Sequence, residues 1–303
     1  MEAQTNAARR AGRITRLLAG FYTVDTEDGE SVSCRARGKF RLDGTSPLVG
    51  DRVLISMNPD GSGYVTEVLP RRNFFLRPAV ANVDCLVLMA AAVNPITDPF
   101  LIDRVAVIAE SRGVGVVVVI NKCSLNRGDE LFEIYSSTGY PVLRTDALTG
   151  EGVAELRGLL SGKAAAFTGN SGVGKSSLLN AMSPGLSQQV GEVSERLGRG
   201  RHTTRHVQLF SLGGGTFIAD TPGFSTFDLK QIEPVKAENL QYLFPEFAPP
   251  LGQCRFDDCA HISEPDCAVL KAVRTGVINP TRHASYTKLH AICSEFKDWE
   301  RKG

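Results

Sequence analysis

The chain has 303 residues, 42% of them hydrophobic, which is enough for a sizeable core and for two or three domains. A formal net charge of +1 excludes a uniformly basic nucleic-acid binder and leaves local basic faces as the only electrostatic footprint. No run approaches the roughly 20 apolar residues of a membrane span. The N-terminal MEAQTNAARRAGRITRLLAG carries arginines and no secretory apolar stretch, so the expectation is a soluble, cytoplasmic, monomeric chain with no membrane partner. Seven cysteines, three of them clustered at Cys254, Cys259 and Cys267, suit a reducing compartment and a metal site better than a disulfide framework.

Residues 11–78 alternate short β-type runs (GRITRLL, GFYTVDT, SVSCRAR, DRVLISM, GYVTEVL) with turn signals such as TEDGE, LDGTSPLVG and NPDGSG. Five strands in about 70 residues predict a small barrel of the OB-fold type. Within it, RARGKFR alternates Arg35, Arg37, Lys39 and Arg41 along one strand face, where cations can track nucleic-acid phosphates and Phe40 can stack on a base; a merely solvated face is the plainer alternative.

From about residue 83 to 220 the texture changes. Continuous apolar runs (DCLVLMAA, VGVVVVI, PVLRT, AAAFT, TFIAD) alternate with helical patterns such as FLIDRVAVIAESRG, which predicts a parallel sheet covered on both faces. The second of these strands ends in Asn121-Lys122, and the next is followed by TDALTGEG from Thr145, as two nucleotide-base loops would be. Ser124 stands where a guanine-reading N-K-x-D loop has its aspartate, and aligning DAL with the S-A-K loop puts Asp146 and Ala147 at the serine and alanine positions. Two readings stand open: Asp146 accepts from guanine N1–H or N2–H with Ser124 orienting it, or Asp146 is a solvated loop residue and base selectivity is weaker.

The strongest motif is GNSGVGKSS, which fits G-x-x-x-x-G-K-[ST] between the strand AAAFT and the helix SSLLNAM. In this loop Gly169, Asn170, Ser171, Gly172, Val173, Gly174 and Ser177 bring backbone N–H groups to the phosphates, Lys175 reaches the β and γ phosphates, and Ser176 ligates Mg²⁺. The basic loop RLGRGRHTTRHV follows, with Thr203 expected, ahead of Thr204, to complete the Mg²⁺ shell. In FIADTPGF, Asp220 is placed to hold the Mg²⁺ water shell and Gly223 to bond the γ-phosphate. Phe224 then stands where many GTPases have a water-positioning glutamine. Ordinary GTPases run phosphate loop, switch threonine, D-x-x-G, N-K-x-D and S-A-K; here both base loops come first, so the domain reads as a circular permutation, which closely spaced termini permit.

The last 65 or so residues carry Cys254-x₄-Cys259-x-His261-x₅-Cys267, three thiolates and an imidazole within 14 positions, which suits one structural, tetrahedral Zn²⁺. His283 and His290 have no ligand spacing and read as ordinary helix-surface residues.

The permuted order, with a barrel ahead and a cysteine cluster behind, together with FFLRP, LIDR and GRGRHTTR, resembles the RsgA/YjeQ family, the small-ribosomal-subunit-dependent GTPases of bacteria. The resemblance covers nearly the whole chain. It implies an α/β fold built on a circularly permuted P-loop GTPase domain (79–232), with an N-terminal OB-fold β-barrel (1–78) and a small C-terminal zinc-binding helical domain (233–303). It further implies hydrolysis of GTP to GDP and phosphate with Mg²⁺, stimulation by the 30S ribosomal subunit, a role in late 30S maturation, and 16S rRNA as a partner. His202 matches the histidine that the family uses to position water, with His206 and an rRNA group as the alternatives. Two other functions fit the motifs less fully: a P-loop NTPase of relaxed base choice, and an RNA-binding OB/zinc protein whose nucleotide site is structural.

Overall fold

The computed structural model describes residues 9–36, 40, 46–76, 78–184, 207–220 and 235–295, the side chains of Leu76 and Asp220 excepted. The chain forms two compact units, one drawn from residues 1–84, 160–166 and 188–224, the other from 85–159, 167–187 and 225–303.

In the first unit, β1 (Arg9–Leu18), β2 (Phe21–Thr26), β3 (Ser31–Ala36), β4 (Arg52–Met57) and β5 (Gly63–Val68) occupy the five expected segments. Their pairing, β1-β2-β3-β5-β4 and back from β4 to β1, closes a barrel with one parallel pair, β3 beside β5. Alternation along each strand sends Val24, Val32, Cys34, Val53, Ile55 and Val65 inward. β1 serves both neighbours because its register slips between Ile14 and Arg16, a bulge that bends the strand. Gly12 is required at the closest approach: a Cβ there would lie 2.7 Å from the Asp25 carbonyl oxygen.

The barrel leads into a hairpin of β6 (Phe74–Leu76) and β7 (Ala79–Ala81). Buried Asp51 anchors this exit by accepting from Arg71 Nε at 2.7 Å and from the Leu48 amide at 2.7 Å. A second hairpin, β12 (Gln208–Gly213) and β13 (Thr216–Asp220), also belongs to this unit; β12 joins β1 through Arg16↔Gln208, and β13 runs parallel to the start of β11 (Ala164–Gly169). β12 does not stand out in the sequence, because its polar and glycine positions dilute a run in which only Leu209 and Phe210 are buried. Phe40 corrects an expectation: it is 7% exposed and packs inside, as the one large apolar side chain of RARGKFR should. Arg37, Lys39 and Arg41 lie outside the described residues.

In the second unit, β8 (Cys85–Ala91), β9 (Gly115–Asn121) and β10 (Val142–Arg144) form a parallel set in the order β10-β9-β8, and β8 is buried along its whole length. Both faces of such strands are covered, so the Val-rich run of β9 shows no alternation. Helix α1 (Pro99–Ser111) starts where Asp98 accepts from the Phe100 amide and Pro99 pre-sets the first turn; its Val105, Ala106, Ile108 and Ala109 are buried. Then come α2 (Asp129–Ser136), α3 (Val153–Leu160) and α4 (Lys175–Met182). The C-terminal region contributes α5 (Ala237–Leu240), a pair of short 3₁₀ turns, α6 (Ala268–Arg274) and α7 (Pro280–Ser294).

Arg282 on α7 is fully buried. It donates from Nη1 to Asp103 Oδ1 at 2.5 Å, and from Nε and Nη2 to the Glu246 carboxylate at 2.6 and 3.2 Å. Tyr135 on α2 donates to the same Asp103 oxygen at 2.8 Å. Burial opposes the guanidinium charge, and Asp103 and Glu246 more than offset it, so Arg282 stays protonated. This cluster ties α1, α2, a 3₁₀ turn and α7 into one core. Replacing Arg282 with alanine strands two carboxylates without their cation and should lower unfolding free energy by about 3 to 5 kcal/mol in urea titration; a loss below about 1 kcal/mol would show that the cluster contributes little.

Candidate functional site

The phosphate loop leaves the end of β11 and enters α4, and its three glycines do different work. Gly169 packs against β8, where a Cβ would lie 2.7 Å from the Met89 carbonyl oxygen. Gly172 and Gly174 have φ of +83° and +94°, which L side chains rarely adopt. Gly174 immediately precedes Lys175, the first residue of α4, and Val173, between Gly172 and Gly174, is fully buried. Val173 fixes the loop from within, while Ser171, Ser176 and Ser177 are turned towards solvent to differing degrees. The open N-terminus of α4 with Lys175 and Ser176 is the arrangement that accepts a polyphosphate.

The base loops meet this loop through Asn121. Its Nδ2 donates to the Val173 carbonyl at 2.9 Å, and its Oδ1 accepts from Thr145 Oγ1 at 3.1 Å. A side chain at Gly174 would put its Cβ 2.4 Å from Asn121 Nδ2, so the close approach needs glycine on one side and asparagine on the other. Lys122 takes φ +67° and donates from Nζ to the Asn94 carbonyl. Ala147 follows Asp146 into the loop. Ser124 and Asp146 touch: the Ser124 amide and hydroxyl donate to Asp146 Oδ2 at 3.0 and 2.5 Å. Asp146 is 2% exposed, which the solvated-loop reading does not fit. The Ser124 hydroxyl, followed by the backbone donors, holds the Asp146 carboxyl down to about 2 against the cost of burial.

Asn121, with Lys122 beside Gly174, thus meets the phosphate loop, and Thr145 and the Ser124–Asp146 pair join the second base loop to the first. Asp220 ends β13, but its side chain, and all of His202, Thr203 and Gly223, lie outside the described residues. Sequence reasoning passes over Arg104 within LIDR: it lines a recess with Gly169 and Asn170, and its Nε is buried without a hydrogen-bond partner among the described residues.

The ligand atoms of Cys254, Cys259, His261 and Cys267 all lie within 4.8 Å of one another. A tetrahedron with Zn–S of about 2.3 Å and Zn–N of about 2.0 Å has edges of about 3.8 Å between sulfurs and about 3.5 Å between sulfur and nitrogen. Here Cys254 Sγ and Cys267 Sγ are 3.8 Å apart, and His261 Nδ1 is 3.5 and 3.4 Å from those two sulfurs. His261 Nε2 donates to Gln241 Oε1 at 2.8 Å, which leaves Nδ1 as the free electron pair. Burial pushes the Cys259 thiol up to about 12 and the Cys267 thiol upward as well, so these groups become thiolates when a dication compensates. The donor set and its spacing therefore fit Zn²⁺. His283 is not an ordinary surface residue: its Nε2 donates to the His261 carbonyl at 2.7 Å and its ring stacks on Phe247, which braces the loop carrying the ligand. A spacing test for ligands cannot find a residue that acts one bond further out.

Comparison with known proteins points in one direction. A family model described as RsgA GTPase matches residues 68–230, and one described as RsgA N-terminal domain matches residues 11–65. The chain is 43% identical over 297 residues to the small ribosomal subunit biogenesis GTPase RsgA of Caldanaerobacter subterraneus subsp. tengcongensis, covering 97% of this chain and 98% of that one. It is 44% identical over 288 residues to the protein of the same description from Thermotoga maritima, covering 93% and 96%. Among solved structures, YjeQ from Thermotoga maritima matches with a TM-score of 0.83 at 38% identity over 96% of this chain and all of that one. YloQ, described as a circularly permuted GTPase, matches at 0.80 and 32% identity over 98% and 99%.

The Asp146 carboxyl carries a pH signature. Its folded value lies below the unfolded value of 3.8, so its contribution to stability is present above about pH 4 and is lost as pH falls towards 2. Unfolding free energy measured from pH 5 to 2 should fall less steeply for Asp146→Asn than for the wild type; identical slopes would mean that Asp146 makes no such bonds in solution.

Proposed function

The chain belongs to the RsgA GTPase family, and on that premise we propose that it hydrolyses GTP in a manner stimulated by the 30S subunit, during late maturation of that subunit. The observation that carries the proposal is the convergence of the phosphate loop and both base loops on Asn121, which gives the motifs one nucleotide to share. Lys175, Ser176 and the backbone of residues 169–177 bind the phosphates and, with Asp220 and Thr203, would hold Mg²⁺, which neutralises developing charge on the transferred phosphoryl. Gly223 is assigned to sensing the γ-phosphate, and His202 to positioning water in place of the missing glutamine. Zn²⁺ would sit on Cys254, Cys259, His261 and Cys267 in a closed, structural site. The domain limits proposed are 1–78, 79–232 and 233–303.

The barrel is assigned to 16S rRNA. Its exposed aromatic face differs from the one the sequence favours: Phe21 and Tyr64 are 44% and 39% exposed, and Arg35, paired with both across β2 and β5, lies over the Phe21 ring at 4.6 Å. A cation between two aromatic rings on adjacent strands suits stacked bases and a phosphate. Among the described residues no helix is long and apolar enough to cross a membrane, and the reading needs none.

Coupling to the ribosome is assigned to the C-terminal region. The chain passes from Gly223 through FSTFDLKQIEP into it, and the buried Arg282 cluster fastens α7 to α1. GTP and ATP turnover measured with and without purified 30S subunits tests the whole reading. GTP turnover should rise with 30S, ATP turnover should not, and Lys175→Ala should abolish both basal and stimulated rates. Removal of Zn²⁺ should leave the basal rate nearly intact and remove most of the stimulation. Turnover indifferent to 30S would overturn the reading, and equal loss of basal and stimulated rates on metal removal would overturn the coupling.

A further inference from the structure

Asp146 stands at the start of the second base loop with every acceptor position of its carboxylate already taken. Oδ1 accepts from the Leu148 amide at 2.8 Å and the Thr149 amide at 3.1 Å; Oδ2 accepts from the Ser124 amide at 3.0 Å and the Ser124 hydroxyl at 2.5 Å. A carboxylate offers about four such positions. A guanine edge therefore cannot take this group without breaking bonds that hold the two loops together. Ser124 is the reverse case. It is exposed, its hydroxyl proton is committed to Asp146, and no donor among the described residues occupies the remaining lone pairs of Oγ.

We propose that Ser124 reads the nucleotide base and that Asp146 is its positioning residue, holding the hydroxyl proton so that Oγ faces the base as an acceptor only. The inference rests on the chain being a guanine-nucleotide hydrolase. Guanine presents an N1–H donor where adenine presents a bare N1 lone pair. A hydroxyl free to rotate can accept from the first or donate to the second, and so distinguishes neither. With its proton held by Asp146, it accepts from guanine N1–H and meets adenine N1 lone pair against lone pair, which leaves a polar group unpaired. One hydroxyl oxygen does not offer the two parallel acceptors that a carboxylate presents to N1–H and the 2-amino group together. The site therefore selects guanine over adenine but reads the 2-amino group weakly, and inosine nucleotides, which keep N1–H and lack that amino group, are accepted nearly as well. The exchange of residue types between the loops changes which edge atoms of guanine are recognised.

The test is calorimetric affinity for GTP, ITP and ATP with full-length, zinc-loaded protein: wild type, Ser124→Ala, Asp146→Ala, and the double variant Ser124→Asp with Asp146→Ser. Wild type should bind GTP and ITP within about threefold of each other, and ATP about tenfold or more weakly. Ser124→Ala should lose about three- to tenfold for GTP and ITP alike and should bind ATP no more weakly than wild type, because the opposed lone pair is gone. Asp146→Ala should weaken GTP and strengthen ATP, a gain that loop damage cannot produce, since damage weakens all three together. The double variant should prefer GTP to ITP by about tenfold or more. Wild-type preference for GTP over ITP beyond about tenfold, or a GTP-to-ATP ratio indifferent to Asp146→Ala, would overturn the inference and leave the GTPase reading standing. Equal wild-type affinity for GTP and ATP would overturn the guanine reading itself.

Discussion

The buried side chain of Asn121 joins three segments that the sequence keeps apart. One amide group donates to the phosphate loop at Val173, 52 positions away, and accepts from Thr145 at the second base loop. Backbone bonds repeat the connection on one side, with the Thr145 amide donating to the Ile120 carbonyl at 2.8 Å and the Cys123 amide to the Thr145 carbonyl at 3.2 Å. The Asn121–Val173 bond has no such backbone support among the described residues, and at 1% exposure water cannot replace it. Permutation makes this contact more consequential. The base loops come first along the chain and the phosphate loop after them, so their junction forms only when the later segment meets the Asn121 amide.

Much of this is legible in the sequence because the informative features are local. The phosphate loop is nine consecutive residues, the metal ligands fall within 14, and five strand segments with their turns occur in sequence, so spacing alone specifies them. The failures are those of faces and distances. RARGKFR reads as an exposed basic face with an aromatic to stack, yet Phe40 packs inside while Phe21 and Tyr64 come to the surface; strand pairing decides which residues share a face, and no spacing rule contains it. The Arg282–Asp103 bond spans 179 positions. His283 looks idle in the sequence because it supports a ligand's backbone instead of a metal. The exchange of Ser124 and Asp146 is visible in the sequence, but the saturation of the carboxylate is not, since two of its four donors are backbone amides of its own loop.

The cluster on Arg282 and the group of Cys254, Cys259, His261 and Cys267 organise the C-terminal region in different ways. The four side chains gather within 4.8 Å of one another, as one Zn²⁺ would require, and Arg282 fastens α7 to the helix that follows β8. An ion pair buried this deeply contributes less to net stability than its charges suggest, because desolvation offsets most of the attraction, but it is intolerant of losing one member. That intolerance suits a region assigned to convey ribosome contact to the nucleotide core, since the helices it joins cannot drift independently.

Asn121 is the proposed element that assembles the nucleotide site. GTP affinity of Asn121→Ala, measured on protein shown to be folded and to hold its full complement of zinc, tests it. Loss of two buried bonds predicts a fall of about a hundredfold or more relative to wild type. A folded, zinc-loaded Asn121→Ala protein that binds GTP as tightly as wild type would show that the site assembles without this side chain.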